Sequence, residues 1–246
     1  MCCLFLAASS TVAIAQTNVV DLVNPIIGTN GMGHTFPGAC VPFGLVQLSP
    51  DTDTIPHNVD GKYQPRSYEY CAGYQHKDSS IVGFSHTHFS GTGHSDLGDI
   101  LIMPTTGTLK LNPGTATNPD GGYRSRFSHD TEISRPGYYE VMLADYGVKA
   151  QLTTTQRAGI HKYTYPTNSE NQRIILDMIH GIYNYDGKVL WTNIRIENDT
   201  LVTGYRITNG WARTNYTYFA MSFSKPITHY GCEEDRKSTR LNSSHR

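Results

Sequence analysis

The chain consists of short stretches in which apolar and polar residues alternate, or in which branched apolar residues cluster. Between residues 148 and 155, Val148, Ala150 and Leu152 fall on one face of an extended backbone and polar residues on the other. No stretch of a dozen residues places apolar side chains at helical spacing. We therefore predict an all-β protein, a sandwich or a barrel, and of these an antiparallel β-sandwich. The other predicted strands are residues 45–48, 80–84, 100–103, 138–143, 160–165, 173–178, 189–197, 201–208 and 216–223.

The first hundred residues combine short strands with long loops. Residues 24–98 are dense in Gly, Pro, His, Ser and Thr. Loops of this composition on a β scaffold commonly carry binding sites. The glycines within residues 28–44 precede neither a G-K-[ST] sequence nor a helical pattern, so they do not indicate a phosphate loop. We expect them to permit tight turns and close approach of the backbone to a ligand.

Both ends of the chain differ from its middle. Residues 2–15 are small and apolar, and residues 13–15 have the A-x-A form of a cleavage site, so we predict a signal peptide over residues 1–15. A buried N-terminal strand or helix is the alternative. Residues 235–246 read DRKSTRLNSSHR, without alternation, and we expect an artefactual or disordered tail there. The β-sandwich domain is predicted over residues 20–234, in a secreted or periplasmic protein.

Composition and charge narrow the possible partners. The 20 Lys and Arg nearly balance the 21 Asp and Glu, so we expect no electrostatic binding to nucleic acid or anionic lipid. No apolar run is long enough to span a membrane. The five cysteines contain no C-x-x-C pair that would indicate zinc or redox chemistry. The 16 tyrosines indicate many half-buried rings, which suit sheet faces and polar clefts.

The densest polar segment surrounds His86 and His88. On a strand these two side chains would project from one face, and Asp96, Asp99 and His34 could add metal ligands. Three interpretations stay open: a metal site, a surface that hydrogen-bonds a polyol, and a structural network. Because H-x-H alone is weak support for a metal, we favour the ligand-facing surface.

A second candidate is the tyrosine-rich segment at residues 67–74. Tyr68, Tyr70 and Tyr74 share a parity, so an extended backbone would line them on one side. Such a row can stack on the C–H face of a sugar while its hydroxyls bond ring oxygens. Ordinary packing between strands explains the pattern equally well. Neither a G-x-S-x-G sequence nor a credible Ser/His/Asp order is present, so no nucleophile is assigned.

The long ordered motifs of the chain resemble a known family. Residues 23–52 read VNPIIGTNGMGHTFPGACVPFGLVQLSPDT, and residues 81–107 read IVGFSHTHFSGTGHSDLGDILIMPTTG. Further matching stretches follow in order at residues 135–166, 175–182, 204–212 and 218–227. From about residue 20 to residue 234, the chain resembles the amino-terminal part of glycoside hydrolase family 92.

This resemblance implies an activity and implies which of the two domains performs the catalysis. Family members are mostly bacterial, exo-acting, calcium-dependent α-mannosidases that invert the anomeric centre. Their amino-terminal β-sandwich packs on a large helical barrel, which supplies the catalytic acid, the catalytic base and the calcium ligands. The resemblance therefore implies no catalytic residue and no metal ligand in this chain. The partners it implies are α-mannoside glycans and a C-terminal helical barrel domain.

The resemblance also implies which side chains face the mannose. Where this sequence has Tyr68 and Tyr70, the family usually has tryptophans, a departure that bears on linkage specificity. The substrate-binding residues carried over are His34, Phe36, Tyr68, Glu69, Tyr70, Cys71, His86 and His88.

Three functions remain under consideration. The first is a non-catalytic β-sandwich domain of an exo-acting α-mannosidase, inactive as an isolated fragment. The second is a stand-alone carbohydrate-binding β-sandwich module. The third is a metal-dependent enzyme that uses His86 and His88. The first also predicts an exposed apolar face that the helical barrel would cover.

Overall fold

The computed structural model describes residues 18–52, 55–91 and 96–233. Fifteen strands and four short 3₁₀ helices form within these residues, and the predicted all-β fold is confirmed. The predictions for residues 1–15 and 235–246 fall outside the described residues. The 3₁₀ helices are Val19–Leu22, Pro65–Tyr70, Pro119–Gly121 and His129–Thr131. No helix in the described ranges has both the length and the apolar character needed to cross a membrane.

The strands pair in antiparallel fashion throughout the described chain. They are β1 (Ser49–Asp51), β2 (Asn58–Val59), β3 (Lys62–Tyr63), β4 (Ser80–Ile81), β5 (Gly83–Ser85), β6 (Leu101–Thr105), β7 (Ser125–Arg126), β8 (Ile133–Arg135), β9 (Tyr138–Leu143), β10 (Val148–Thr154), β11 (Gly159–Thr164), β12 (Arg173–Asp177), β13 (Val189–Ile196), β14 (Leu201–Thr208) and β15 (Asn215–Ser222).

Two four-stranded sheets form the sandwich. One has the strand order β1-β5-β6-β12 and the other the order β11-β10-β9-β8. In β9 every second residue is buried, so Tyr139, Val141 and Leu143 all point into the core. They share one apolar cluster with Phe84 of β5 and Leu101 of β6. The alternation that predicts a half-buried strand therefore also determines which face closes the sandwich.

The last three strands form a separate sheet in the order β13-β14-β15. One face of its central strand buries Val202 and Arg206. The other face is apolar and aromatic, and Tyr216 and Tyr218 of β15 are 56% and 70% exposed there. Cross-strand pairing brings five side chains together on this second face. We call this group the aromatic sheet face: Trp191, Tyr205, Ile207, Tyr216 and Tyr218.

The strand predicted at residues 45–48 is wrong in position. Leu48 forms only an isolated bridge with Ala39, and the regular strand β1 begins at Ser49. The Leu45 N–H donates to the carbonyl of Gln156, in the connection that follows β10. Because the segment bonds to several different elements, it does not form a ladder with one neighbour, although its apolar pattern resembles that of a strand.

Candidate functional site

The tyrosine-rich segment is a 3₁₀ helix, Pro65–Tyr70, and not the extended row that the sequence predicts. Pro65 suits the first helical position because its fixed φ is helical and its missing N–H would be unpaired there. In a tight helix, residues two apart point in different directions. Tyr68 is therefore 36% exposed, whereas Tyr70 and Tyr74 are 4% and 1% exposed. This corrects the prediction that the three rings line one side.

The two buried tyrosines serve packing and internal hydrogen bonding. The Tyr70 hydroxyl donates to Oδ1 of Asp78 at 3.0 Å. The Tyr74 hydroxyl donates to the carboxylate of Glu132, at 2.9 Å from Oε1. The packing interpretation therefore holds for Tyr70 and Tyr74, and Tyr68 is the member of the row that reaches the surface.

The loop before β1 is tied to this 3₁₀ helix by Gln75, which is fully buried. The Gln75 side chain accepts from the Gly31 N–H at 2.8 Å and donates to the Gly31 carbonyl at 2.9 Å. Its amide also donates to the carbonyl of Glu69. The loop folds tightly on itself, because a Cβ added at Gly33 would lie 2.2 Å from the Gly28 carbonyl oxygen. Two segments distant in sequence thus form one surface.

His34 and Tyr68 meet where these two segments join. Their rings pack edge to face with centroids 4.8 Å apart. His34 is buried, and its backbone has a positive φ of 54°. The buried Nε2 of His34 has no hydrogen-bond partner among the described residues. Phe36, two residues on, packs on the ring of His88 with centroids 5.3 Å apart.

Sequence reasoning missed four aromatic residues that extend this surface. Tyr183 stacks on Tyr68 with centroids 6.5 Å apart and planes 12° from parallel. The ring of His57 contacts Tyr63, Tyr183 and Tyr185 at 5.1, 5.5 and 5.3 Å. These residues come from a hairpin and from the segment after β12, so local sequence contains no signal that joins them to Tyr68. We call the set the aromatic surface: His34, His57, Tyr63, Tyr68, Tyr183 and Tyr185.

Glu69 and Cys71 lie beside this surface in different environments. The Glu69 carboxylate forms an ion pair with Lys77, and Arg66 Nε lies 3.9 Å from it. Cys71 is buried in a small cluster with Ile182 and Tyr183. Burial raises the pKa of the Cys71 thiol to about 11, so it is protonated at neutral pH and unsuited to nucleophilic attack.

His88 lies in the interior, within a buried hydrogen-bond network. Its Nε2 contacts Oδ1 of Asp51 at 2.9 Å, and its Nδ1 contacts the Gln47 carbonyl at 2.7 Å. Nε2 of His180 contacts the other oxygen of Asp51, also at 2.9 Å. Burial alone would raise the pKa of Asp51, but the two histidines outweigh it and hold the pKa well below the usual range. The carboxylate is therefore ionised and fully paired.

His86 belongs to a chain of hydrogen bonds that ends on the backbone. Its Nδ1 lies 2.6 Å from the Ile100 carbonyl, so this nitrogen donates. Its Nε2 lies 3.0 Å from Nε2 of His161 and must then accept a hydrogen bond from that nitrogen. Nδ1 of His161 in turn accepts from the Tyr163 hydroxyl at 2.7 Å. Burial lowers the pKa of both imidazoles, so both rings are neutral.

These contacts do not assemble the metal site considered for His86 and His88. The two histidines turn their nitrogens to different partners, described above. Oδ1 of Asp99 accepts from the guanidinium of Arg206 at 2.8 Å, and Asp96 accepts from the backbone of residues 211 and 212. The described residues therefore favour a structural network at this place.

Two surface depressions lie away from the aromatic surface. They are lined by residues of the N-terminal segment and of β8 and β9, among them Val20, Asp21 and Arg135. Neither includes a predicted substrate-binding residue.

Comparisons with known proteins agree with the architecture. The family model described as "Glycosyl hydrolase family 92 N-terminal domain" matches residues 22–246. A family GH92 α-mannosidase of Bacteroides thetaiotaomicron, solved with mannoimidazole, is 46% identical with a TM-score of 0.77, over 85% of this chain and 26% of that one. The GH92 family glycosyl hydrolase ccman5 is 25% identical with a TM-score of 0.62, over 82% and 26% of the two chains.

A curated relative is also a glycosidase. An uncharacterized secreted glycosidase of Arthroderma benhamiae is 29% identical over 170 residues, which make up 65% of this chain and 19% of that protein. The chain thus spans about a quarter of the length of its solved relatives, at 26%. The resemblance predicted from the sequence motifs is confirmed. The chain belongs to glycosyl hydrolase family 92, as its N-terminal domain.

Proposed function

We propose that this domain forms one wall of the mannose-binding pocket of a secreted α-mannosidase and does not itself perform the hydrolysis. The observation that carries this proposal is the aromatic surface, where exposed Tyr68 stands beside the unpartnered Nε2 of buried His34. The 46% identical relative was solved with mannoimidazole. An aromatic face beside an unpaired polar atom suits a sugar ring, which presents C–H groups and hydroxyls together.

Each residue then has a distinct role. Tyr68 stacks on the sugar, and His34 Nε2 hydrogen-bonds a hydroxyl. Glu69, already paired with Lys77, orients the 3₁₀ helix. His88 packs against the ring of Phe36, and His86 bonds the Ile100 carbonyl between β5 and β6. Both histidines therefore act through other residues. The catalytic carboxylates and the calcium ligands lie on the helical barrel domain of the longer protein, as the family resemblance implies.

The helical barrel needs a docking surface, and we assign that role to the aromatic sheet face. This face exposes Tyr216, Tyr218 and Trp191 together. Exposed apolar patches on soluble domains commonly mark interfaces. Roughly three quarters of each solved relative lies outside the match, which covers 26% of its chain. Docking would bury these rings and exclude water from the pocket.

The test uses methyl α-mannoside and the NMR spectrum of the isolated chain. We expect weak binding that shifts signals near Tyr68 and is lost in Tyr68→Ala. Tyr216→Ala is the matched control, because it removes an exposed tyrosine from the aromatic sheet face and should leave these shifts unchanged. Shifts that persist in Tyr68→Ala would place the sugar elsewhere.

Two further outcomes separate the alternatives. The isolated chain should not hydrolyse an aryl α-mannoside with or without calcium, and turnover would return the chemistry to this domain. Tight mannoside binding by the isolated chain would favour the stand-alone carbohydrate-binding module, because one wall of a divided pocket supplies only part of the contacts.

A further inference from the structure

Three side chains outside the aromatic surface converge at one point. His76, His129 and Glu132 each offer one ligand atom, and these atoms all lie within 4.8 Å of one another. His76 follows the 3₁₀ helix Pro65–Tyr70, whereas the other two belong to the turn that leads into β8. The spacing of His129 and Glu132, three apart on one turn, brings their side chains together: Nδ1 of His129 lies 2.6 Å from Oε2 of Glu132.

The Glu132 carboxylate is held in a defined position. Its side chain is only 2% exposed. Oε1 accepts hydrogen bonds from the hydroxyls of Tyr139 at 2.7 Å and Tyr74 at 2.9 Å. Two buried tyrosines thus orient an acceptor with lone pairs to spare. Such outer hydrogen bonds are what positions a carboxylate that binds a metal.

The two imidazoles approach each other closely beside that carboxylate. The ring centroids of His76 and His129 lie 3.9 Å apart with planes inclined by 35°. The edge-to-face contact between Phe127 and His129, at 5.0 Å, limits the rotation of the latter ring. A cation between these rings and the carboxylate would satisfy the nitrogen lone pairs and the negative charge at the same time.

We propose that His76, His129 and Glu132 form a Zn²⁺ site. Two imidazoles and one carboxylate are a donor set that suits zinc and disfavours calcium, which prefers oxygen ligands. Zinc at about 2.0–2.1 Å from each ligand requires ligand atoms within roughly 4 Å of one another. The side chain of His129, 38% exposed, can close the remaining gap by a small rotation. Its exposure also leaves a fourth position open to water.

Such a site would act as a clamp on the loops of the aromatic surface. The His76 N–H donates to the Thr29 carbonyl at 2.8 Å, so His76 is joined to the loop that carries His34. Gln75, the preceding residue, holds the same loop through Gly31. Zinc would thereby link both loop segments to the β8–β9 side of the sandwich.

Calorimetric titration of the chain with ZnCl₂ tests the proposal. We expect one Zn²⁺ per chain and at least about tenfold weaker binding in His129→Ala and His76→Ala. His129→Ala should fold, because this side chain is partly exposed. The same titration with Co²⁺ gives a visible absorption band that reports the coordination geometry.

Two controls address other zinc ligands on the surface. His229→Ala and Cys232→Ser remove an exposed imidazole and an exposed thiol near each other in sequence, and both should bind zinc as the parent chain does. Zinc should also raise the melting temperature of the parent chain and not that of His129→Ala. Absence of binding to the parent chain, or equal losses in the controls and in His129→Ala, would overturn the proposed site.

Discussion

At the residue scale, the side chains that look most reactive in sequence are largely internal. The carboxylate of Asp51 is fully buried between His88 and His180. Ser85 Oγ also lies 3.2 Å from His88 Nε2, which places serine, histidine and aspartate together. This is not a catalytic triad, because the serine and the aspartate share the same nitrogen and all three residues are buried. The cluster instead holds β1 and β5 to the segment after β12.

Removing the charge of Asp51 should therefore destabilise the domain. Asp51→Asn leaves two histidines facing a neutral amide in the interior, and leaving a buried polar group without its partner costs about 1–3 kcal/mol. Urea denaturation measures the loss in the free energy of unfolding. Asp186→Asn, at an exposed position, is the control and should change stability by less than about 0.5 kcal/mol. Equal effects of the two substitutions would contradict the structural role of Asp51.

The His86–His161 pair predicts a pH dependence of stability. The folded chain keeps both rings neutral because burial lowers the pKa of each, while the unfolded chain takes up protons below about pH 6.5. The stabilisation is thus fully present above about pH 6.5 and declines as the pH falls below it. The lowered pKa of Asp51 does not contribute there, because its share is lost only below the unfolded value of 3.8.

Urea unfolding between about pH 7 and pH 5 measures this decline. His161→Phe keeps an aromatic ring but removes one titrating group and its contact with His86, so the decline should become shallower. An unchanged slope in this variant would assign the pH dependence to other groups.

At the element scale, the loop before β1 depends on Gly33. The local sequence indicates only that a glycine there permits a tight turn, and not which atoms it contacts. Gly33→Ala would bring a Cβ within 2.2 Å of the Gly28 carbonyl oxygen, so the loop must open. We expect a loss of at least about 2 kcal/mol in the free energy of unfolding, together with loss of the mannoside-induced NMR shifts.

Gly31→Ala is the matched control in the same loop. Its Cβ would meet nothing within 4 Å, although its φ of +58° disfavours alanine. That backbone term costs only about 1 kcal/mol. The two variants should therefore differ in both readouts, and equal losses would show that close packing at Gly33 is unimportant.

Elements were predictable where local and tertiary preferences agree. Strands β9 and β10 alternate because one face packs in the core, and residues 138–143 and 148–155 show this directly. The row of Tyr68, Tyr70 and Tyr74 failed because parity implies one side only if the backbone is extended. Pro65 at the first position favours a 3₁₀ helix instead. The Gln75 side chain bonds both the Glu69 carbonyl in this helix and Gly31, which lies 44 residues before Gln75 in sequence.

At the scale of the whole molecule, the aromatic sheet face should make the isolated chain self-associate. Tyr218 is 70% exposed beside Trp191 and Tyr216 on the same sheet. Tyr218→Ser should shift sedimentation towards the monomer, since it removes apolar area from the centre of the patch. Leu109→Ser, at an exposed loop position, should leave the association unchanged. A parent chain that stays monomeric at high concentration would contradict an interface role for this face.

The sequence by itself determined the fold class, most strand positions and the family. Alternation is a local property of the chain, and long ordered motifs can be recognised from the sequence alone. It also identified His34 and Tyr68 as candidate contacts. Only the tertiary structure decided that these two meet, that His57, Tyr63, Tyr183 and Tyr185 complete their surface, and that His86 and His88 turn inward. The same holds for the convergence of His76, His129 and Glu132. Such sites form when the folded core brings distant loops together, and no local pattern encodes that proximity.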